Sequence, residues 1–138
     1  MLEKLIDAIE VHLGQALRHD AGRRGLREAT ARVLLALEPS DALPMAQVAE
    51  RLGREPSTAT RFVDRAEADG LLVRVAGEQD RRSRWVRLTP LGIELRQALL
   101  EVRAQRARQI EQALESSTGL GASQVEWFLG AVARAVGP

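Results

Sequence analysis

Between Met45 and Leu52 the apolar residues Met45, Val48, Ala49 and Leu52 recur at i, i+3, i+4 and i+7, the spacing that gathers them on one helical face. Gly53 closes that helix. Pro56 opens the next, because the first helical position has no use for a backbone N–H and proline's fixed φ already suits a helix. In this second helix Ala59, Phe62, Val63 and Ala66 form one stripe, and Ser57, Thr58, Thr60, Arg61, Asp64 and Arg65 lie on the opposite side. Two short helices joined by a glycine-containing turn predict a helix-turn-helix. The period then changes. Leu72 to Ala76 and Arg84 to Thr89 are β-prone, and Val86 and Leu88 alternate with Trp85 and Arg87 as in a strand with one covered face. The polar GEQDRR between them predicts the loop of a hairpin.

The flanks read as helices. A first helix runs from about Leu2 to about Arg18, with Leu2, Leu5, Ile6, Ile9 and Leu13 on one stripe, and the polar HDAGRRG from His19 to Gly25 reads as a loop. A helix from roughly Arg27 to Leu37 follows, then EPSDALP as a linker. Thr89 and Pro90 suit an N-cap and first position of a long helix reaching about Glu115. Its middle, Arg103 to Gln109, is polar nearly all round, which fits either a bridge between two packed regions or a basic face on DNA backbone. Ser123 and Glu126 then form an S-x-x-E capping box before the stripe Val125, Phe128, Leu129, Val132, Ala133 and Val136. Both terminal stripes need covering, by the chain itself or by a second copy. The fold class expected is mainly α with a small β wing.

At 138 residues the chain is expected to form one domain. No run of about 18 apolar residues exists, and the N-terminal stretch mixes charge with apolar residues unlike a secretory signal, so a cytoplasmic protein is expected. Cysteine is absent, which removes disulfides and thiolate metal sites, and the two histidines, His12 and His19, are too far apart for an i, i+4 metal pair. Net charge is only +1, yet residues 51–108 hold thirteen arginines against eight acids, while the remainder holds seven basic residues against eleven. Positive charge thus collects around the helix-turn-helix and hairpin. Arg74, Arg81, Arg82, Arg84 and Arg87 lie within fourteen residues, against Glu78 and Asp80. Arginine on a projecting loop can enter a narrow minor groove. Nineteen of the twenty basic residues are arginine, a bias that a GC-rich genome largely explains. No hydrolase, zincin or phosphate-loop motif occurs, so neither an enzyme nor a cofactor is expected.

GREPSTATRFVDRAEADGLLVR followed by DRRSRWVRLTPLG resembles the recognition helix and wing of the MarR (multiple-antibiotic-resistance regulator) winged-helix transcription factors. The specific part is residues 44–92, and the flanks are similar in pattern. The resemblance implies a single MarR-like domain over 1–138, in which 1–25 and 90–138 form a helical dimerisation region around a winged helix-turn-helix core at 26–89. It also implies a homodimer on a pseudo-palindromic stretch of double-stranded DNA. Ser57, Thr58, Thr60, Arg61 and Arg65 then face the major groove, and Arg81, Arg82 and Arg84 the minor groove. Asp80 and Arg82 match the family's D-x-R wing signature, in which the aspartate orients the arginine, as a carboxylate can through charge-assisted hydrogen bonds. One departure is Glu55–Pro56, where the family often has a small hydroxyl residue and then a polar or basic one. Glutamate caps helices less well than serine and repels phosphate.

Together these features read as a sequence-specific transcriptional regulator, a repressor relieved by a small molecule. Ligand-responsive relatives bind aromatic or phenolic molecules between dimerisation helices and core, which singles out His12, Arg18 and Trp85, each also explicable as surface or strand packing. The alternative from another class is a ligand- or protein-binding dimer on a winged scaffold that no longer binds DNA. Five wing arginines weigh against it, and nonspecific DNA compaction fits poorly with a net charge of +1.

Overall fold

A computed structural model describes residues 15–77, 84–119, 121, 123–124, 126–127 and 130–131. The chain divides into two units, Met1–Leu100 and Glu101–Pro138.

In the first unit, residues 15–22 are helical (α1), four residues beyond the expected stop near Arg18. The polar HDAG had pointed to a loop, but Ala21 is fully buried and Asp20 nearly so, and that burial carries the helix on. Residues 23–25 form the turn into α2, Glu28–Ala36, which buries Thr30, Ala31, Val33 and Leu34. Glu28, in the first turn of α2, accepts hydrogen bonds from Arg32 and Arg18.

The linker between α2 and the helix-turn-helix contains a strand that the pattern had not indicated. β1, Leu43–Pro44, pairs antiparallel with β3, setting Leu43 opposite Val86 and Pro44 opposite Trp85. With β2 (Leu72–Ala76) and β3 (Arg84–Leu88) it makes a three-stranded sheet in the order β1-β3-β2. The expected two-stranded wing thus gains a third strand along β3. Proline is tolerated there because β1 is an edge strand. The preceding turn is pinned from two sides. Asp41 N donates to Glu38 O at 2.9 Å, Glu38 N to Asp41 Oδ2 at 2.8 Å, and Arg51 reaches both Asp41 Oδ2 at 2.5 Å and Ala36 O at 3.0 Å.

α3 (Met45–Leu52) and α4 (Pro56–Ala68) match the expected helix-turn-helix. Gly53 sits at φ 58°, donating to Glu50 O, while Arg54 N donates to Ala49 O. This paired closure needs a left-handed residue, which glycine adopts without steric cost. Val48, Ala49, Ala59, Val63 and Ala66 are buried, joined by Leu34, Leu37, Leu71, Leu72, Val86 and Leu88 in one core. Val86 and Leu88 point in and Arg87 out, as the alternation predicts.

α5 spans Pro90–Thr118, three residues past the expected end. Thr89 caps it, as expected, and also ties it to the core. Its hydroxyl accepts from Gly92 N at 3.1 Å and donates to Gly70 O at 2.7 Å, and its own N–H donates to Leu71 O at 3.0 Å. Leu99 is buried in the core, and Arg96, nearly buried, donates to Glu38 Oε1 at 2.6 Å.

In the second unit the polar stretch 103–109 is exposed except at half-buried Arg106. Residues 123, 124, 126, 127, 130 and 131 are helical. The expected cap at Ser123 is displaced. Ser123 is already helical, and Gln124 Oε1 instead accepts from Gly121 N at 3.0 Å. The amide side chain of Gln124 thus reaches back over three residues to the Gly121 N–H, two positions before the Ser123 N–H that an S-x-x-E box would satisfy through Glu126. The stripes Leu2–Leu13 and Val125, Phe128, Leu129, Val132, Ala133 and Val136 lie outside the described residues.

Candidate nucleic-acid interface

The buried stripe of α4 fixes which residues it presents outward. Ser57, Thr60, Arg61, Asp64, Arg65 and Ala68 are exposed, and Thr58 is half-buried beside them. Pro56 starts the helix without a side-chain cap from Glu55, leaving first-turn N–H groups open to solvent or to an anion. Arg61 has no ion-pair partner among the described residues. Arg65 makes only a long, exposed pair with Asp69 at 3.6 Å, which leaves it available at little cost. Thr60 differs from expectation. Its hydroxyl donates to Pro56 O at 2.8 Å, so it is held against the helix and faces outward as an acceptor and a methyl rather than as a donor.

On the sheet, Arg84 and Arg87 are exposed on β3 without an ion-pair partner among the described residues. Arg74, counted from sequence among the wing's positive charges, has another role. It pairs with Asp64 at 2.5 Å and, more closely still, with Glu67, and its backbone N–H donates to Glu67 Oε1 at 3.3 Å. Burial alone would lower its pKa, but the hydrogen bond to Asp64 and the charge of Glu67 outweigh it and hold the guanidinium above its ordinary range. Arg74 thus bolts β2 to α4 and offsets the acids that α4 would otherwise turn outward. Asp64 and Glu67, three apart on one helix face, were visible in the sequence as a pair. Their partner was not.

Asp80, Arg81, Arg82 and His12 lie outside the described residues. Arg18 pairs with Glu28 at 3.1 Å, and Trp85 is half-buried in the sheet, opposite Val75 and Pro44. Among the described residues no group of three or more His, Asp or Glu could hold a metal ion. None of their helices is long and apolar enough to cross a membrane.

Residues 24–83, which hold α2, the helix-turn-helix and the first part of the wing, match the sequence model of the MarR family. That stretch is similar to the MarR family. Its winged-helix fold is shared with a MarR family transcriptional regulator from Silicibacter pomeroyi DSS-3, at 28% identity and a TM-score of 0.76 over 99% of this chain and 95% of that one. The reduced form of MarR from E. coli superposes with a TM-score of 0.76 at 20% identity, over 100% of this chain and 97% of that one. A mutant of S. aureus MepR bound to an oligodeoxyribonucleotide gives 0.61 at 21% identity, over 99% and 96%. No curated protein matches the sequence. In this chain, similar over nearly its whole length to MarR family transcriptional regulators, the outward face of α4 beside the arginines of β3 is the candidate DNA surface.

Proposed function

We propose that this protein is a MarR family regulator, a sequence-specific repressor that binds a pseudo-palindromic operator as a homodimer and releases it on binding a small molecule. The observation that carries the reading is the outer face of α4, where Ser57 and Arg61 stand exposed while the helix's own acids are engaged by Arg74. Ser57, Thr58, Thr60, Arg61 and Arg65 read the major groove, and Arg82, oriented by Asp80, reaches the minor groove with Arg81 and Arg84 nearby. The S. aureus MepR structure with an oligodeoxyribonucleotide supports DNA as the partner of this fold. Residues 26–89 act as the DNA-binding core and 1–25 with 90–138 as the dimerisation region.

Purified protein incubated with sheared genomic DNA at moderate salt, followed by recovery and sequencing of bound fragments, tests the proposal. Enrichment of a few sites sharing an inverted repeat is the expected result. Folded protein that enriches nothing, even at low salt, overturns it in favour of a dimer that binds a ligand or protein instead of DNA.

A further inference from the structure

Glu55 stands where a helix-capping side chain is expected and does not cap. Its backbone is extended, at φ −56° and ψ 143°, its carbonyl accepts from Ala59 N at 2.9 Å, and its side chain makes no capping bond. It is exposed, and among the described residues it has no ion-pair partner, although Arg54 is its neighbour in sequence. Together with Glu50, Gly53, Arg54 and Thr58 it lines an open groove between the end of α3 and the first turn of α4. Arg74 engages Asp64 and Glu67, the acids within α4, so Glu55 is the unengaged carboxylate at the leading end of the helix.

We propose that Glu55 is a specificity-determining residue, its carboxylate accepting a hydrogen bond from the exocyclic amino group of a cytosine in the major groove. The proposal rests on the DNA-binding reading above, in which the first turn of α4 meets base edges. An ionised carboxylate is an acceptor only. In the major groove guanine offers N7 and O6, thymine O4, and adenine an amino group flanked by the N7 acceptor. Cytosine's N4 amino group is the donor without an acceptor on the same base edge, which makes it the one base a carboxylate meets without repulsion. A carboxylate close to the backbone repels phosphate, so Glu55 favours those sites where an amino group offsets its charge and disfavours the rest. Where a polar or basic residue at this place would add affinity to every sequence, Glu55 subtracts affinity from most of them.

Selection of bound sequences from a randomised duplex library, with the wild type, Glu55→Ala and Glu55→Gln run in parallel, tests this. The wild type is expected to enrich a motif with one strongly preferred C·G pair in each half-site. Glu55→Ala should lose about tenfold discrimination at that pair and leave every other position unchanged. Glu55→Gln, which can donate as well as accept, should move the preference toward adenine. Identical motifs for all three proteins overturn the proposal, as does an affinity gain in Glu55→Ala that is uniform across sequences, which is the signature of phosphate repulsion alone. A wild type that enriches no motif fails at the earlier step, the DNA-binding reading itself.

Discussion

Replacing Gly92 by alanine sets helix propensity against packing. Propensity alone favours alanine in the first turn of α5 by up to about 1 kcal/mol. The packing reverses the sign. A Cβ at this position falls on the Leu71 carbonyl oxygen, well inside van der Waals contact, and meets that carbonyl's carbon at 3.1 Å and Leu88 Cδ2 at 3.4 Å. Neither side yields easily, since Leu71 O accepts from Thr89 N at 3.0 Å, Leu71 N donates to Ala66 O at 2.9 Å and the Leu71 side chain is buried. Relief requires α5 to lift away or the turn at 70–71 to withdraw, and either loosens the Thr89 cap. A lost hydrogen bond or cap costs about 1 kcal/mol and overpacking about 1–3 kcal/mol. Set against the propensity gain, the expected loss is about 2 kcal/mol, or about 1 M in urea midpoint at a slope of about 2 kcal/mol/M. Gly22→Ala is the control. Gly22 is helical, and an added Cβ there meets nothing within 4 Å, so that variant should be neutral or gain less than about 1 kcal/mol. Equal or higher urea midpoints for Gly92→Ala than for the wild type would refute the reasoning.

Arg74→Met leaves Asp64 and Glu67 unpaired beside the candidate DNA surface, so fluorescence anisotropy should show DNA binding weakened several-fold, partly restored by adding Asp64→Asn. A double variant no better than the single one would mean that Arg74 does not act through those acids. Asp41 accepts from Glu38 N and then from Arg51, which together hold its carboxyl below its ordinary 3.8 despite partial burial. A depressed carboxyl stabilises the fold above its unfolded value, and that contribution is lost as pH falls through the folded one. Urea midpoints of the wild type should therefore fall more steeply below about pH 4 than those of Asp41→Asn, whose acid limb is expected to be flatter. Glu28, held below its ordinary 4.5 chiefly by the Arg32 hydrogen bond, should give Glu28→Gln the same flattening. Arg84→Ala and Arg82→Ala should each reduce the slope of log affinity against log salt by about one with the fold unchanged, and an unaltered slope would remove that arginine from the DNA contacts.

The sequence by itself determined the elements whose pattern repeats over a turn or two. The stripe Val48, Ala49 in α3, the stripe Ala59, Val63, Ala66 in α4 and the alternation of Val86 and Leu88 in β3 all became core, because helix and strand periods fix which side chains share a face. The cap at Thr89 was legible for the same local reason. β1 was not, since two residues carry no period and Leu43–Pro44 is a strand only because β3 runs beside it. α1 outran its expected end because the burial of Asp20 and Ala21 depends on surfaces supplied by residues far along the chain. The candidate DNA surface divides in the same way. Its outward helix face follows from spacing, but which charges remain available on it depends on distances that only folding sets. Arg74 counts as positive charge in a census and as a bolt on Asp64 and Glu67 in the fold, while Gly92 looks replaceable until Leu71 is seen to lie against it. Periodicity is local, whereas ion pairs and close approaches belong to residues brought together from distant parts of the chain.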